Sequence, residues 1–139
     1  MYLTKIKFGT SSIQGKGVFA DQVIHKNEVV WKFVEGHDKT LSISDYEKLN
    51  QDEKDYMDKV AYLSLTSNQY VFPPENDPAL YTNHDALKNN LSVVIDHSIS
   101  TEPFFIANRD ITIGEELTNN YHEFDEAIKL KEVIPDWLK

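Results

Sequence analysis

Several residue types in this chain are suited to chemistry, and their spacing excludes the most familiar reactions. The five histidines stand at positions 25, 37, 84, 97 and 122 and form no HExxH-like ligand pair, which argues against a histidine metal site. No serine lies in a GxSxG turn, and no cysteine is present to serve as a nucleophile or zinc ligand. The glycine-rich stretch 9–17 departs from a phosphate loop, because Gln14 replaces the second glycine and Gly17 follows Lys16.

Three other stretches, in a fixed order, indicate a specific chemistry. They are residues 15–20 (GKGVFA), 81–89 (YTNHDALKN) and 105–121 (FIANRDITIGEELTNNY). Together they resemble the SET domain of protein lysine methyltransferases. That family has a GxG turn near its start, an NHSCxPN-like segment in its middle and a RDIxxGEELTxDY-like segment near its end. Residues 29–36 are similar to the strand that usually carries EYxGE, with Phe33 in the tyrosine position. The resemblance extends over residues 5–122.

The resemblance implies S-adenosylmethionine as the cofactor, with no metal. The family binds this methyl donor at the GxG turn, where glycine lets the backbone come close to the ligand. An Asn-His pair makes further contacts, and an aromatic residue after the final tyrosine usually covers the adenine. Trp137 is a second candidate for that cover, although it is as readily explained by packing of the tail. The implied cofactor-binding residues are Gln14, Gly15, Lys16, Gly17, Asn83, His84 and Phe124.

Tyr121 matches the catalytic tyrosine of the family. In the implied reaction a neutral lysine amine attacks the methyl carbon. Free lysine has a pKa of about 10.4, so roughly one amine in a few thousand is neutral at pH 7. A narrow, poorly hydrated aromatic channel would lower that pKa. Residues that could line the channel, or alternatively pack in the core, are Tyr70, Tyr81 and Phe105; Asn119 occupies the position that in the family often governs how many methyl groups are added.

The sequence departs from the family pattern at several motif positions. Asp85 and Ala86 replace the usual serine and cysteine, and Lys88 replaces the proline. Asn119 and Asn120 replace an aromatic-acid pair before the tyrosine. Two functions therefore stay open. The first is a protein lysine N-methyltransferase that acts on a lysine in a protein or basic peptide. The second is a catalytically inactive SET-fold module that binds a basic peptide.

Short strands and one helical segment must position these motifs. Capping-box patterns at residues 44–47 and 50–53 predict helix over 44–62, as one helix or two, with Tyr46, Leu49, Tyr56, Met57 and Val60 buried. Strands are predicted at 62–65, 69–72, 91–96 and 104–108. With the resemblance, the predicted fold class is mainly β with some α: a SET-domain (β-clip) fold of several small sheets, with a short helical insert and a C-terminal pseudoknot. Residues 1–122 form the predicted SET domain, with the insert at 37–72, and residues 123–139 a helical tail that packs on it.

Composition limits the partners and the location of the protein. The chain has 139 residues, enough for one domain, and a net charge of −9, which disfavours direct nucleic-acid binding and suits a basic peptide. No apolar run is long enough to span a membrane, and the N-terminal residues do not read as a signal peptide. We therefore expect a cytoplasmic protein, or a nuclear one in a eukaryotic host. A homodimer would be one way to complete the substrate groove, although no residue requires it.

Overall fold

The fold is a set of small sheets that pack around one apolar core. The computed structural model describes residues 1–64 and 66–125 of the chain. In this part the strands are β1 (Ile6–Thr10), β2 (Lys16–Ala20), β3 (Val29–Trp31), β4 (Lys39–Ser42), β5 (Tyr62–Ser64), β6 (Gln69–Phe72), β7 (Asn83–His84), β8 (Leu91–Val94), β9 (Phe104–Ala107) and β10 (Thr118–Asn119). The helices are α1 (Ile43–Glu47) and α2 (Gln51–Val60), with short 3₁₀ turns at Pro78–Tyr81 and Tyr121–Glu123.

The described strands form four sheets. β1 and β2 make an antiparallel hairpin, and β3, β9 and β8 form a three-stranded antiparallel sheet with β9 in the middle. β4, β6 and β5 form a second antiparallel sheet of three strands, and β7 and β10 make a short parallel pair. The many small sheets agree with the predicted mainly β class. The short parallel pair brings the second and third sequence motifs side by side.

The core lies between the β1–β2 hairpin and the β3–β9–β8 sheet. Strand β2 turns Val18 and Ala20 inward, as the alternation of a half-buried strand requires. The central strand β9 buries Phe104, Phe105 and Ala107; because adjacent strand residues point to opposite faces, both faces of the sheet are covered here. The remaining fully buried members of this core are Ile24, Val30, Leu91, Ile111 and Leu117.

The segment between β4 and β6 contains both helices and forms one side of the molecule. The structure has two helices, one of the two arrangements predicted for 44–62. Asn50 caps the second helix as predicted, but Ser42 and not Ser44 caps the first, which begins at Ile43. Met57 is buried as predicted, but the prediction for Tyr56 was wrong, since 52% of that residue is exposed. Adjacent helix residues point about 100° apart, so the narrow buried stripe that contains Met57 leaves Tyr56 on the exposed side.

The N-terminus of α2 carries a complete capping box. The Asn50 side chain accepts a hydrogen bond from the Glu53 N–H (2.8 Å), and the Glu53 carboxylate accepts one from the Asn50 N–H (3.1 Å). We expect Asn50→Ala to lower the free energy of unfolding by about 1 kcal/mol, because a helix donor loses its partner. Asn50→Ser, which keeps an oxygen acceptor, should retain most of the wild-type free energy of unfolding. Chemical denaturation of both variants tests this, and equal loss in both would contradict it.

The C-terminal segment is only partly described. The chain runs from β10 through the 3₁₀ turn at Tyr121–Glu123 to Asp125. Of the helical tail predicted at 123–139, residues 126–139, with Trp137, lie outside the part of the chain that the structure describes, and the C-terminal pseudoknot stays a prediction. In the described part of the chain, no helix is both long and apolar enough to cross a bilayer.

Candidate functional site

A cleft of about 670 Å³ opens where the β1–β2 hairpin, the helical insert and the β7–β10 pair meet. Twelve residues were predicted to form the site, and the structure brings ten of them together as cleft lining. The other two, Gly17 and His84, lie outside the lining. The ten are Gln14, Gly15, Lys16, Tyr70, Tyr81, Asn83, Phe105, Asn119, Tyr121 and Phe124.

Tyr121 lines the cleft and begins the 3₁₀ turn, two residues after the end of β10. Its hydroxyl donates a hydrogen bond to the Thr82 carbonyl oxygen (2.8 Å), so the phenolic hydrogen has a fixed direction. Its backbone N–H donates to Nδ1 of His84 (3.0 Å). Tyr121 is therefore held by hydrogen bonds at its backbone and at its hydroxyl. The hydroxyl oxygen keeps its lone pairs available to accept hydrogen bonds.

His84 lies outside the cleft lining and contacts Tyr121. Its ring lies 4.9 Å from the Tyr121 ring, centroid to centroid, and its Nδ1 is an acceptor, which places any hydrogen of the neutral ring on Nε2. The residue sits in β7, paired with Asn119 in the parallel ladder. His84 thus fixes the backbone that carries Tyr121 and contributes no surface to the cleft.

The loop before β2 supplies one wall of the cleft. Gly15 has a φ of 49°, a left-handed conformation that side chains adopt with strain, so glycine is required there. The Asn83 amide nitrogen lies 3.2 Å from the Gln14 carbonyl oxygen and 3.4 Å from that of Lys16. The first two sequence motifs are therefore joined by direct hydrogen bonds.

The side chain of Lys16 is held against two aromatic rings beside the cleft. Its ammonium lies 4.5 Å from the Phe8 ring centroid and 4.9 Å from that of Tyr81. The two rings meet edge to face, 5.4 Å apart. Cation–π attraction to both rings places a positive charge at this end of the cleft.

The floor of the cleft is a chain of aromatic rings. Phe105 lies 5.4 Å from Trp31 and 4.9 Å from Phe124, measured between ring centroids. Phe124 also meets Tyr62 at 5.4 Å and Tyr121 at 6.0 Å, both edge to face. Such a surface holds little water and covers flat or apolar groups well.

Three polar atoms in this aromatic surrounding have no hydrogen-bond partner. They are Trp31 Nε1, the Tyr62 hydroxyl and Asn119 Oδ1, and all three residues line the cleft. Buried polar groups are normally paired, so these three are exceptions that a ligand or an ordered water could complete. The set comprises one donor, one acceptor and one hydroxyl that can do either. It fits a ligand or pair of ligands with both hydrogen-bond donors and acceptors.

The outer end of the cleft is bordered by the helical insert. Tyr70 stacks on Tyr46 with 4.4 Å between ring centroids, and the Tyr46 hydroxyl donates to the Asp58 carboxylate (2.7 Å). Asp58 and Asp125 both line the cleft. A carboxylate at the outer end favours a cationic ligand there. The described residues contain no group of three or more His, Asp or Glu side chains that could hold a metal ion.

Burial changes the ionisation of the cleft tyrosines. Burial raises the pKa of Tyr2, Tyr62 and Tyr121 above the ordinary value of about 10, because the phenolate loses its hydration. Nearby acids, including Asp125 at Tyr121, add to the effect. These hydroxyls remain protonated at any physiological pH.

We expect the three hydroxyls to ionise only above pH 10 in the folded protein. A pKa raised by folding contributes stability that is fully present below pH 10 and lost as pH rises through the folded-state pKa. Phenolate absorbance, followed against pH in native protein and in denaturant, should show the native titration displaced upward. Ionisation of every tyrosine near pH 10 in the native protein would contradict this assignment.

Several residues that line or support the cleft were not predicted from the sequence. Tyr2 bonds the Thr82 side chain through its hydroxyl (2.5 Å), and Tyr2, Trp31, Tyr62 and Thr82 all line the cleft. The aromatic ones lie in strand-like segments where the sequence pattern also fits a core, so no local signal separates them. Asn90 was also missed. Its buried amide joins the Glu116 carbonyl to the Thr118 N–H, and its only signal was its place beside the second motif.

Two departures from the family motifs have local explanations in the structure. Asp85 accepts hydrogen bonds from the N–H groups of Leu87 and Lys88 (3.0 and 2.9 Å), which lowers the pKa of its carboxyl and shapes the turn. Its own N–H donates to the Asn119 carbonyl (2.9 Å), extending the contact between the two motifs. Asn120 caps the following 3₁₀ turn by accepting from the His122 N–H (3.1 Å).

Comparison with known proteins agrees with this arrangement. Residues 15–122 match the family model of the SET domain. No curated protein sequence matches the chain significantly. One similar solved structure is a Plasmodium falciparum protein described as a histone methyltransferase, with 20% identity and a TM-score of 0.56 over 85% of this chain and 93% of that chain. A second is CpSET8 from Cryptosporidium, with 19% identity and a TM-score of 0.61 over 88% of this chain and 59% of that chain. A third is Chaetomium thermophilum Polycomb Repressive Complex 2 bound to GSK126, with 24% identity and a TM-score of 0.64 over 94% of this chain and 17% of that chain. At these identities the structures show a common fold, whereas the family model covers most of the chain. The protein belongs to the SET domain family.

Proposed function

We propose that the protein is an S-adenosylmethionine-dependent protein lysine N-methyltransferase. The observation that supports this most is the meeting, in one cleft, of the glycine loop, the Tyr121 hydroxyl and three unpaired polar atoms. SET-domain proteins are mostly lysine methyltransferases, and each of the three sequence motifs contributes to this cleft.

The cofactor would lie along the wall formed by the glycine loop. Gln14, Gly15 and Lys16 would contact it with backbone groups, Asn83 would steady that backbone, and Phe124 would cover a flat ring. When bound, S-adenosylmethionine supplies an electrophilic methyl group on a sulfonium sulfur. The fit rests on the glycine loop, the aromatic floor and the unpaired polar atoms.

The residues of this chain would prepare the lysine amine. Burial of the amine in a poorly hydrated cleft would disfavour the ammonium form, which loses its hydration, and so would lower the lysine pKa toward the neutral nucleophile. The Tyr121 oxygen, whose hydrogen is committed to the Thr82 carbonyl, can accept a hydrogen from the amine and direct the nitrogen lone pair. Alignment of two reacting groups can supply several kcal/mol of rate acceleration, on the order of 7–11 at best.

The substrate class would be a lysine in a basic peptide segment. The protein carries a net charge of −9, and Asp58 borders the outer end of the cleft, where it would attract a cation flanking the target lysine. The Plasmodium protein with this fold is described as a histone methyltransferase, and histone tails are basic. A lysine-rich peptide panel is therefore the appropriate first substrate set.

Transfer of a labelled methyl group tests the proposal. Purified protein would be incubated with labelled S-adenosylmethionine and lysine-rich peptides, with arginine-for-lysine peptides as matched controls. We expect label in the lysine peptides alone, confirmed as one or more added methyl groups by mass spectrometry. Peptide binding without transfer, in protein that binds the cofactor, would instead favour a non-catalytic peptide-binding module.

A further inference from the structure

Gly17 was predicted to bind the cofactor, but its surroundings indicate another reason for glycine. It is buried in β2, opposite Gly9, and does not line the cleft. A Cβ atom placed there would lie 2.5 Å from Oε2 of Glu116, far inside van der Waals contact. A methyl group at position 17 would therefore displace this carboxylate and disturb its hydrogen bonds.

That carboxylate receives hydrogen bonds from two different segments. The Ser11 hydroxyl lies 2.8 Å from each Glu116 oxygen, and the Asn83 amide nitrogen lies 2.9 Å from Oε2. The ion pairs found within residues 1–64 and 66–125 do not include Glu116. Its charge is thus stabilised by neutral donors, which form stronger hydrogen bonds to an ionised acceptor than to a neutral one.

Both partners of Glu116 in turn hold the glycine loop. The Ser11 oxygen accepts from the N–H groups of Ile13 (2.9 Å) and Gln14 (3.3 Å). The Asn83 amide faces the carbonyl oxygens of Gln14 and Lys16. One carboxylate outside the cleft therefore sets both ends of the loop whose residues Gln14, Gly15 and Lys16 form the cleft wall.

We propose that Glu116 is a positioning residue for the cofactor loop, and that Gly17 is glycine to admit its carboxylate. The inference rests on the proposed function, in which this loop contacts S-adenosylmethionine. A loop already held in its binding conformation loses less freedom on binding, so the affinity for the ligand rises. Glu116 would act through Ser11 and Asn83, without touching the cofactor.

The direct test is Glu116→Gln. Glutamine keeps the shape but turns one acceptor into a donor, which opposes the hydrogen of Ser11 or Asn83. We expect the dissociation constant for S-adenosylmethionine to rise about tenfold, the range of a lost charged hydrogen bond, while affinity for a basic peptide stays unchanged. The matched control is Glu115→Gln, whose carboxylate instead bonds Arg109 (3.1 Å). Equal cofactor affinity in wild type and Glu116→Gln would overturn the proposal.

Gly17 and Glu116 should also be coupled. Gly17→Ala alone should weaken cofactor binding, because the new methyl group displaces the carboxylate. In a Glu116→Ala background, Gly17→Ala should lower cofactor affinity much less, because the space of the Glu116 carboxylate is then free. Strictly additive losses would show that the two positions act independently, contrary to the proposal.

Amide hydrogen exchange in the ligand-free protein separates this inference from the proposed function. We expect the N–H groups of Ile13 and Gln14 to exchange about tenfold faster in Glu116→Gln. Ser11→Ala, a smaller change, should speed the same two amides if the glutamine variant folds poorly. If wild-type protein binds no cofactor but these amides exchange faster in the variants, the proposed function is contradicted and the role of Glu116 in holding the loop is supported. Unchanged exchange in both variants would overturn that role.

Discussion

Tyr121→Phe is expected to lower methyl transfer on the order of 10²–10³-fold, the usual cost of removing one oriented polar group from a reaction site. Phenylalanine keeps the ring contacts with Phe124 and His84 but removes the oxygen that would orient the amine. Cofactor affinity should change only a few-fold, because this hydroxyl bonds the Thr82 carbonyl and not the glycine loop that we propose holds the cofactor. Single-turnover transfer and calorimetric titration of the same sample would separate the two quantities.

A tyrosine elsewhere provides the control for that experiment. Tyr56→Phe makes the same chemical change on the exposed face of α2, where 52% of the residue is accessible, and transfer should stay within about twofold. The Tyr121 variant also loses its bond to the Thr82 carbonyl, so a stability loss of about 1 kcal/mol is expected. Unchanged transfer in folded Tyr121→Phe, or loss of cofactor binding, would contradict the role given to this hydroxyl.

Asn90→Ala is expected to cause the largest loss of stability, on the order of 3 kcal/mol. The side chain is 1% exposed, donates to the Glu116 carbonyl (2.8 Å) and accepts from the Thr118 N–H (2.9 Å). Alanine leaves both backbone groups without this partner next to β10, and an unpaired buried group costs about 1–3 kcal/mol. Urea denaturation of wild type and variant measures the difference directly.

The neighbouring asparagine is the matched control. Asn89 is half-buried, and its side chain makes one local bond to the Leu91 carbonyl (2.9 Å), so Asn89→Ala should cost less than about 1 kcal/mol. The comparison is informative because Asn89, not Asn90, matches the final asparagine of the family motif. Equal losses in the two variants would show that the amide bridge of Asn90 contributes no special stability.

The sequence predicted the cleft better than it predicted the role of each residue in it. Gln14, Gly15, Lys16 and Tyr121 were found through ordered motifs, since backbone turns and a tyrosine after a strand have recognisable local patterns. The second role proposed for Gly17 could not be predicted from local sequence, because it depends on a carboxylate 99 positions later in the chain.

Tertiary contacts explain the other differences. The helical insert was predicted from its capping boxes, which are local, whereas the exposure of Tyr56 depends on which surface the helix meets. Trp31 belongs to the buried core and Tyr62 packs against it, so their strand context matches that of other core residues; their unpaired polar atoms distinguish them. Such atoms can be identified only once the neighbours of every side chain are known.

The central claim is that this SET domain binds S-adenosylmethionine in the cleft between the glycine loop and Tyr121. Calorimetric titration of folded protein with S-adenosylmethionine and S-adenosylhomocysteine tests it most directly. We predict binding of both in the micromolar range, weakened by Glu116→Gln and nearly unchanged by Tyr121→Phe. No detectable binding of either ligand to folded wild-type protein would contradict the account and leave Tyr121 as a structural aromatic residue.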